Sequence, residues 1–243
     1  MKIRIVGGTD QGKHRKSNED AYGIFEDLNL AVVADGMGGH AAGEVASRLA
    51  VESVYQTILQ NPPGEPTQLL NQAILNANAR ILETAKKDPA LTGMGTTIVV
   101  LLISGETAHI GYAGDSRVYL FRKSTLKQLT EDHSLVGDYI RKGLLTPEEA
   151  QKNPLKHVIT RALGTSEPLK VDQVSLPLEE DDIFLLCSDG LSNMVNDEDL
   201  QGEISSGDQN LETSCSGLIQ LANKNGGADN ITLVLLQCQK NSS

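Results

Sequence analysis

The chain has 243 residues, of which 39% are hydrophobic, and it carries a formal net charge of −11 at pH 7. This length supports an ample core, and since no change of composition marks a boundary, we predict a single domain over residues 1–243. The negative charge argues against nucleic acid or an anionic membrane as a partner, because both bind basic surfaces. No apolar run approaches the length that crosses a bilayer.

The three cysteines form no C-x-x-C pair and are odd in number. No signal peptide precedes them, so a reducing cytoplasm is the expected setting. Cys187 lies inside an apolar run, which predicts a buried, unreactive side chain. Because no heptad pattern or exposed apolar stripe suggests assembly, we expect a monomer.

The first third of the chain predicts three short strands followed by two helices. Apolar residues keep helical spacing from Glu44 to Leu59, and again from Leu70 to about Lys87. The proline-rich segment 62–66 separates the helices, and such a short link predicts an antiparallel pair. The three strands are predicted at residues 2–8, 20–26 and 29–35.

The rest of the chain predicts further strands, interrupted by helices. Thr96–Ile103 is a continuous β-branched and aliphatic run, typical of a strand buried on both faces. Blocks of strands between helices, without strict alternation, favour an α+β fold in which two antiparallel sheets form a sandwich with helices outside. The remaining strands are predicted at 107–113, 117–122, 126–130, 170–175, 182–187 and 230–238, and helices at 133–142, 146–152 and 210–224.

Five aspartates lie where an apolar or glycine-bearing segment stops. Carboxylates gathered at one end of a sheet would repel one another strongly unless cations lay between them. The pattern therefore predicts a metal site. The five residues are Asp20, Asp35, Asp115, Asp189 and Asp229.

A simple turn is the competing interpretation of each Asp-Gly pair taken alone, because Asp and Gly are both common turn residues. A hairpin turn is usually followed by a returning strand. Gly36 leads instead into a glycine-rich segment and a helix, and Gly190 leads into Leu-Ser-Asn-Met-Val. The set of aspartates therefore favours a site over a series of turns.

The segment Gly7–Lys13 offers a different hypothesis, because it follows a strand and matches the G-x-x-x-x-G-K pattern of nucleotide-binding loops. His14 stands where that loop needs a serine or threonine hydroxyl, and no amphipathic helix follows. A nucleotide-binding enzyme is thus the minor alternative. Cysteine-based phosphatase chemistry lacks its C-x5-R pattern, since Asn193 and Leu221 stand where arginine is needed.

With these motifs, the chain strongly resembles the metal-dependent (type 2C, PPM) serine/threonine protein phosphatases in their compact bacterial form. The resemblance covers residues 5–238 and implies a β-sandwich flanked by pairs of antiparallel helices. It rests on eight short motifs in family order, Gly12–Asp20, Ala34–His40, Gly93–Thr97, Gly114–Arg117, Thr130–Ser134, Thr160–Gly164, Cys187–Leu191 and Asp229–Thr232.

The resemblance implies two Mn²⁺ or Mg²⁺ ions per chain, since hard oxygen ligands select these ions. Asp35 would bridge both ions, and Gly36 would offer its carbonyl at a point where a side chain would crowd the ion. Asp189 and Asp229 would hold the first ion. Asp20 would bind through water.

The implied reaction is attack on phosphorus, in line, by a water that the two ions activate, without a phospho-enzyme intermediate. Arg15 would grip two phosphate oxygens with its planar fork. His40 is the candidate general acid, and the alternative for this residue is a glycine-loop histidine that packs or caps. Bacterial members hold a third, weaker ion, whose ligands match Asp115 and Asp189.

Residues 138–165 match a mobile flap beside the active site, where substrate choice is expected to lie. Phosphorylated proteins are the implied substrates. A catalytically inactive relative that acts as a binding module is the second alternative, and the full set of matched ligands argues against it. Arg117 is expected to pair with a carboxylate, His133 matches a family position without an assigned role, and Glu179–Asp182 is expected to be a solvated turn.

Overall fold

The computed structural model describes residues 1–38, 41–61, 64–146, 149–150, 153–165, 168–206 and 210–239. Within these ranges the chain forms eleven β-strands and six α-helices. The strands make two antiparallel sheets, and helices pack on them. The α+β sandwich predicted from the sequence is therefore confirmed.

The first sheet joins the two ends of the chain. Its strands β1 and β11 pair antiparallel over their full length, from Lys2 opposite Gln239 to Asp10 opposite Ile231. β11 is buried at all but its last residue, which suits its place inside the sheet. The spatial order is β1 (Lys2–Asp10), β11 (Ile231–Gln239), β10 (Ile183–Cys187), β7 (Arg117–Arg122) and β8 (Thr125–Gln128).

The second sheet contains the long apolar run of the sequence analysis. That run becomes two strands, because the chain breaks at Thr97 between a short strand and a long one. The short strand β4 (Gly95–Thr96) pairs with the end of β3. The spatial order of the others is β2 (Asp20–Phe25), β3 (Leu30–Met37), β5 (Ile98–Ser104), β6 (Thr107–Ala113) and β9 (Asp172–Pro177).

The core explains why β3 and β5 are apolar on both faces. Alternate residues such as Val33 and Leu101 pack between the sheets against Phe184 and Val234 of the first sheet. Their neighbours, such as Val100, pack outward against helices. Since both faces of these strands are covered, a continuous run of aliphatic residues satisfies them, as predicted.

Two helices cover the second sheet as an antiparallel pair, α1 (Ala41–Gln60) and α2 (Pro66–Lys87). Their direction follows from two cross-helix contacts, Arg80 to Glu52 and Asn76 to Thr57. The first sheet is covered by α5 (Asp197–Ser206) and α6 (Leu211–Lys224), and two shorter helices are α3 (Leu135–Arg141) and α4 (Asp189–Ser192).

None of the helices in the described ranges combines the length and the apolar character that crossing a bilayer requires. Helices α4 and α5 were not predicted from the sequence. The start of α5 carries a usable signal, because the side chain of Asn196 accepts a hydrogen bond (2.9 Å) from the backbone N–H of Asp199, as an N-cap residue does.

Part of the predicted helix at 146–152 lies outside the described residues, namely 147–148 and 151–152. Its start is as expected, since Thr146 and Glu149 each accept a hydrogen bond from the other's backbone N–H, at 3.2 and 2.8 Å. This reciprocal pair is a capping box.

One expectation from the sequence is wrong, and the minor alternative is contradicted, as expected. The solvated turn predicted at Glu179–Asp182 does not describe Asp182, whose side chain is fully buried and bonded to Arg122 at 2.6 and 2.7 Å. The Gly7–Lys13 segment is not a phosphate-binding loop, because its first residues belong to β1 and pair with β11. The nucleotide-binding alternative therefore loses its structural basis.

Candidate active site

The second sheet brings Asp20 and Asp35 together at one end of the sandwich. Along β3, Ala31 and Val33 face the space between the sheets, and Asp35 continues the same face. Asp20 lies directly opposite Asp35 in the antiparallel register. Since opposed residues have their Cβ atoms about 4.5–5.5 Å apart, the two carboxylates are close neighbours.

The other three aspartates reach the same place from strand ends. Asp189 follows β10 and Asp229 precedes β11, and these antiparallel strands meet at that end. Asp115 follows β6, the end of which pairs with the start of β5. Burial raises the pKa of Asp35, and the charges of Asp20, Asp189, Asp115 and Asp229 raise it further, so these four carboxylates lie within electrostatic reach of Asp35.

Two threonines hold the backbone of Asp35 in place. The hydroxyl of Thr96 and the backbone N–H of Thr97 both donate to its carbonyl oxygen, each at 2.9 Å. Its N–H donates to the hydroxyl of Thr97 at 3.1 Å. The two threonines of the Gly93–Thr97 motif therefore fix this carboxylate without contacting it.

Gly36 is required by a close approach of three backbone segments. A Cβ atom at this position would lie 2.2 Å from the carbonyl oxygen of Gly43 in α1 and 2.4 Å from that of Glu19. The reason given from the sequence, that a side chain would crowd an ion, is thus not needed. Helix α1 and the residue before β2 already exclude every side chain.

Burial and mutual repulsion hold protons on this group. Burial raises the pKa of Asp20 to about 7, with the charges of Asp189 and Asp229 acting in the same direction. Burial, followed by the charge of Asp189, likewise raises the pKa of Asp115 to about 7. The pKa of Asp189 is raised by burial and by Asp229. Such a group binds cations readily, because a cation relieves both penalties.

Arg15 lies against this group. Its guanidinium donates to Oδ2 of Asp229 at 2.5 Å, and about half of its side chain is exposed to solvent. A guanidinium that is partly exposed at the rim keeps donors available for a ligand. The loop that carries Arg15 is anchored by Lys13, whose N–H donates to the carbonyl of Gly227 at 2.7 Å.

Asn230 organises the same loop, a role that the sequence did not indicate. Its amide nitrogen donates to the carbonyl oxygens of Gln11 and Ser17, each at 2.9 Å. Its amide oxygen accepts from the N–H of Glu19, also at 2.9 Å. One buried side chain therefore spans the whole segment between β1 and β2, with Arg15 in its middle.

Ser188 is a second residue whose role was missed. Its hydroxyl donates to Oδ2 of Asp20 at 2.7 Å, and it accepts from the N–H of Thr232 at 3.1 Å. The other carboxylate oxygen of Asp20 is buried and has no hydrogen-bond partner among the described residues. A buried oxygen without a donor is available to a cation or to a water that a cation holds.

Three of the five histidines bear on the predicted site. His40, the predicted general acid, lies outside the described residues, as does Gly39. His157 was given no role from the sequence, but it lies close to Asp189. Burial and the charge of Asp229 raise the pKa of Asp189, and the charge of His157 acts in the opposite direction. His133 is buried beside the turn that carries Asp115.

These residues fit a hard divalent cation, since all the donors are carboxylate or carbonyl oxygens. No three His, Cys, Asp or Glu side chains of the described ranges are grouped as a preformed metal site. The unpartnered oxygen of Asp20 and the raised pKa values of Asp20 and Asp115 mark where a cation would be favourable.

Comparison with known proteins points to one family. The family model described as protein phosphatase 2C matches residues 8–230. The serine/threonine phosphatase stp of Listeria welshimeri is 39% identical over 236 residues, which are 94% of this chain and 93% of that protein. The protein phosphatase PhpP of Streptococcus pneumoniae is 36% identical over 242 residues, which are 97% of each chain.

Solved structures give the same result. The Mycobacterium tuberculosis serine/threonine phosphatase PstP/Ppp superimposes with a TM-score of 0.92 at 36% identity, over 98% of this chain and 99% of that one. The catalytic domain of the serine/threonine protein phosphatase PstP in complex with two manganese ions gives a TM-score of 0.89 at 35% identity, over 98% and 99% of the two chains.

Proposed function

Because the chain belongs to the protein phosphatase 2C family, we propose that it is a metal-dependent protein phosphatase that hydrolyses phosphoserine and phosphothreonine in phosphorylated proteins. The observation that carries this function is the group of five aspartates at one end of the sandwich, with Arg15 beside it. The relatives named as serine/threonine phosphatases span nearly the whole chain and support it.

The proposed cofactor is a pair of Mn²⁺ or Mg²⁺ ions. Asp35 is the proposed bridging ligand, Asp189 and Asp229 hold the first ion, and the carbonyl of Gly36 and a water on Asp20 complete the set. The structure of PstP in complex with two manganese ions supports a two-metal site.

A third, weaker ion is proposed on Asp115 and Asp189. This ion is supported by the closeness of Asp115 to Asp189. Burial is the largest cause of the raised pKa of Asp115, and the charge of Asp189 is the second. When bound, divalent cations neutralise the carboxylates and supply a nucleophile from water at neutral pH.

Arg15 is the proposed phosphate-binding residue. Its planar fork can bind two phosphate oxygens, and its bond to Asp229 keeps the guanidinium beside a proposed metal ligand. A phosphate bound by Arg15 would therefore be held next to the carboxylate group. His40 is proposed as the general acid that protonates the leaving oxygen.

Cysteine-based phosphoryl transfer has no support in this chain. Burial raises the pKa of Cys187 to about 12 and that of Cys215 to about 11, so neither is a thiolate at neutral pH. All three cysteines are buried and unpaired. Free thiols agree with the cytoplasmic setting that we propose.

We further propose a monomer with one catalytic domain over residues 1–243, in which segment 138–165 is a flap that contributes to substrate choice. The flap is supported by contacts that bring the chain at residues 158–159 back beside the start of α3. Ser134 and Ile159 form a β-bridge, and the N–H of Leu135 donates to the carbonyl of Val158 at 2.8 Å.

The test is hydrolysis of p-nitrophenyl phosphate and of a phosphothreonine peptide by purified protein. We expect turnover with Mn²⁺, and its loss when EDTA is added and recovery when excess Mn²⁺ is restored. Asp27→Asn, a change at an exposed aspartate in the turn before β3, is the matched control and should retain full activity. Turnover that EDTA leaves untouched would contradict the proposal.

Manganese binding, measured by calorimetry, separates the remaining alternative. A folded protein that binds Mn²⁺ and yet hydrolyses no phosphopeptide would be an inactive binding module. We expect binding and turnover together, because the proposed ligands Asp20, Asp115, Asp189 and Asp229 all lie within electrostatic reach of Asp35.

A further inference from the structure

A buried imidazole outside the carboxylate group links the turn that carries Asp115 to the flap. His133 lies just before α3, and only 3% of its surface is exposed. Its ring stacks on that of Tyr112, with centroids 5.2 Å apart and planes 9° from parallel. The proposed function gives His133 no task, although its two ring nitrogens and its backbone all have partners.

The contacts of the ring determine where its proton lies. The backbone N–H of Gly114 donates to Nδ1 of His133 at 3.0 Å. Because a backbone N–H can only donate, Nδ1 must carry a lone pair, and the neutral ring holds its proton on Nε2. Nε2 then donates to Oδ2 of Asp172 at 3.0 Å. A guanidinium nitrogen of Arg161 also lies 3.0 Å from Nε2, and it donates to the same oxygen of Asp172 at 2.9 Å rather than to the protonated ring nitrogen. Burial, and next the charge of Arg161, lower the pKa of His133, which agrees with a neutral ring.

Asp172 is a fixed anion that orients this ring. Arg161 and Lys170 bind its two oxygens at 2.9 and 3.0 Å. Burial opposes the charge, but the hydrogen bonds from Arg161, Lys170 and His133 outweigh it and lower the pKa of Asp172 to about 2. A carboxylate on the far nitrogen fixes both the tautomer and the rotation of a histidine.

The ring and the backbone of His133 together fix Gly114, the residue before Asp115. The N–H of Gly114 is held by the imidazole, and the carbonyl of Gly114 accepts from the backbone N–H of His133 at 2.9 Å. Gly114 has a φ of +124°, and a Cβ atom there would lie 2.5 Å from Cβ of Thr97. With both backbone groups of Gly114 held, the path of the chain into the buried Asp115 is set.

The same residue receives the returning end of the flap. The carbonyl of His133 accepts from the N–H of Thr160 at 2.8 Å. The next residue along the chain, Arg161, binds Asp172. The flap end and the Asp115 turn are therefore attached to one histidine and one carboxylate.

We propose that Asp172 and His133 act as a positioning pair, which fixes the Gly114 peptide, and with it Asp115, against the returning end of the flap. This inference rests on the proposed function, in which Asp115 is a ligand of the third cation. Residues that orient a ligand from behind typically change metal affinity or activity by about 10–100-fold when they are removed.

The first test compares two substitutions of the histidine in Mn²⁺ with p-nitrophenyl phosphate. The amide oxygen of asparagine can take the place of Nδ1 and accept from Gly114, whereas alanine cannot. We expect His133→Ala to lower kcat by about 10–100-fold with little change in KM, and His133→Asn to recover most of that loss. Wild-type kcat in His133→Ala, even with a lower melting temperature, would overturn the proposal, as would an asparagine variant no better than alanine.

A double-mutant cycle tests the pair itself. Asp172→Ala should lower kcat in the chain that has His133 and have little further effect beside His133→Asn, because the carboxylate acts through the imidazole. Equal losses in both backgrounds would show that Asp172 works independently of the ring. This cycle needs no alanine at position 133, so it remains decisive if His133→Ala does not fold.

Hydrogen exchange at the Gly114 amide gives a measurement that does not depend on activity. In chelated protein, exchange should be slow in wild type and in His133→Asn, and faster in His133→Ala, where the buried N–H loses its acceptor. Unchanged exchange in the alanine variant would overturn the proposal. An inactive wild-type protein would instead refute the proposed function, while the exchange data would still report on the link between His133 and Gly114.

Discussion

Two groups of aspartates in this fold differ in what neutralises them. The first group, the site aspartates, consists of Asp20, Asp35, Asp115, Asp189 and Asp229. The second group, the arginine-paired aspartates, consists of Asp132, Asp172 and Asp182, which bind Arg117, Arg161 and Arg122 respectively. Among the site aspartates, Asp229 alone has an arginine in a described salt bridge.

The difference appears in the pKa values. Burial raises the pKa of Asp20 and Asp115 to about 7. At Asp172 burial acts in the same direction, but hydrogen bonds from cations lower the pKa to about 2. Burying like charges together costs stability unless something neutralises them. A cluster of aspartates with too few arginine partners is thus a candidate binding site for other cations.

The largest effect is expected at Asp35. Asp35→Asn should lower kcat by more than about 100-fold, since a direct ligand matters more than the outer-shell partners, whose loss costs about 10–100-fold. In EDTA the same change should raise the melting temperature, because asparagine is neutral without the proton that burial and the neighbouring carboxylates force Asp35 to take up on folding. The expected rise is about 2–4 °C for each kcal/mol relieved. Enzyme kinetics and thermal unfolding measure the two effects.

The matched change among the arginine-paired aspartates is Asp182→Asn. Asp182 is fully buried, but its charge has a partner in Arg122, so the substitution should lower stability by about 1–3 kcal/mol and leave kcat unchanged while the protein is folded. If Asp35→Asn lowered the melting temperature in EDTA as Asp182→Asn does, the distinction between the two groups would be false.

Arg15 should give the next largest effect, on phosphate binding. Arg15→Ala should reduce kcat/KM by about 10–100-fold, the size expected for losing about 1.5–3 kcal/mol of charged hydrogen bonds. Arg15→Lys should recover only part, because lysine keeps the charge but lacks the planar fork. Inhibition by inorganic phosphate should weaken in parallel. Arg4→Ala, which removes an arginine paired with Glu212 on the surface, is the control and should have no effect on kinetics.

Asn230 should have a smaller effect, through the loop that carries Arg15. Asn230→Ala leaves three backbone groups without partners and should cost about 1–3 kcal/mol of stability, with a loss of about tenfold in kcat/KM. Asn225→Ala is the matched control, because Asn225 is exposed and donates one hydrogen bond to the carbonyl of Met194. Equal effects at the two asparagines would show that the loop does not depend on Asn230.

The sequence predicted the features that depend on local pattern. The unbroken apolar runs of β3 and β5 follow from the burial of both faces of each strand, and both predicted strands are present. The five aspartates could be found because a carboxylate at the end of an apolar segment is a local signal. Helix α4 could not be found, since the four residues Asp189–Ser192 are too few to show a helical periodicity.

What the sequence could not predict are contacts between distant residues. The buried charge of Asp182 depends on Arg122, which lies 60 positions away, and the hydroxyl of Ser188 reaches Asp20 across 168 positions. Asn230 spans more than 200 positions to reach the loop between β1 and β2. A run of acidic residues or a lone serine carries no mark of its partner, so these roles appear only once the sheets have assembled.

The smallest expected effect concerns the acid sensitivity of the arginine-paired group. The folded-state pKa of Asp172, about 2, lies below its ordinary value of 3.8, so between these values the folded protein binds fewer protons than the unfolded chain. Its contribution to stability is therefore complete above about pH 4 and is lost as the pH falls toward about 2. Urea unfolding of wild type and Asp172→Asn should show a constant difference between about pH 5 and pH 7 that narrows below pH 4. A difference that widens on acidification would mean that the carboxylate is not held charged by its partners.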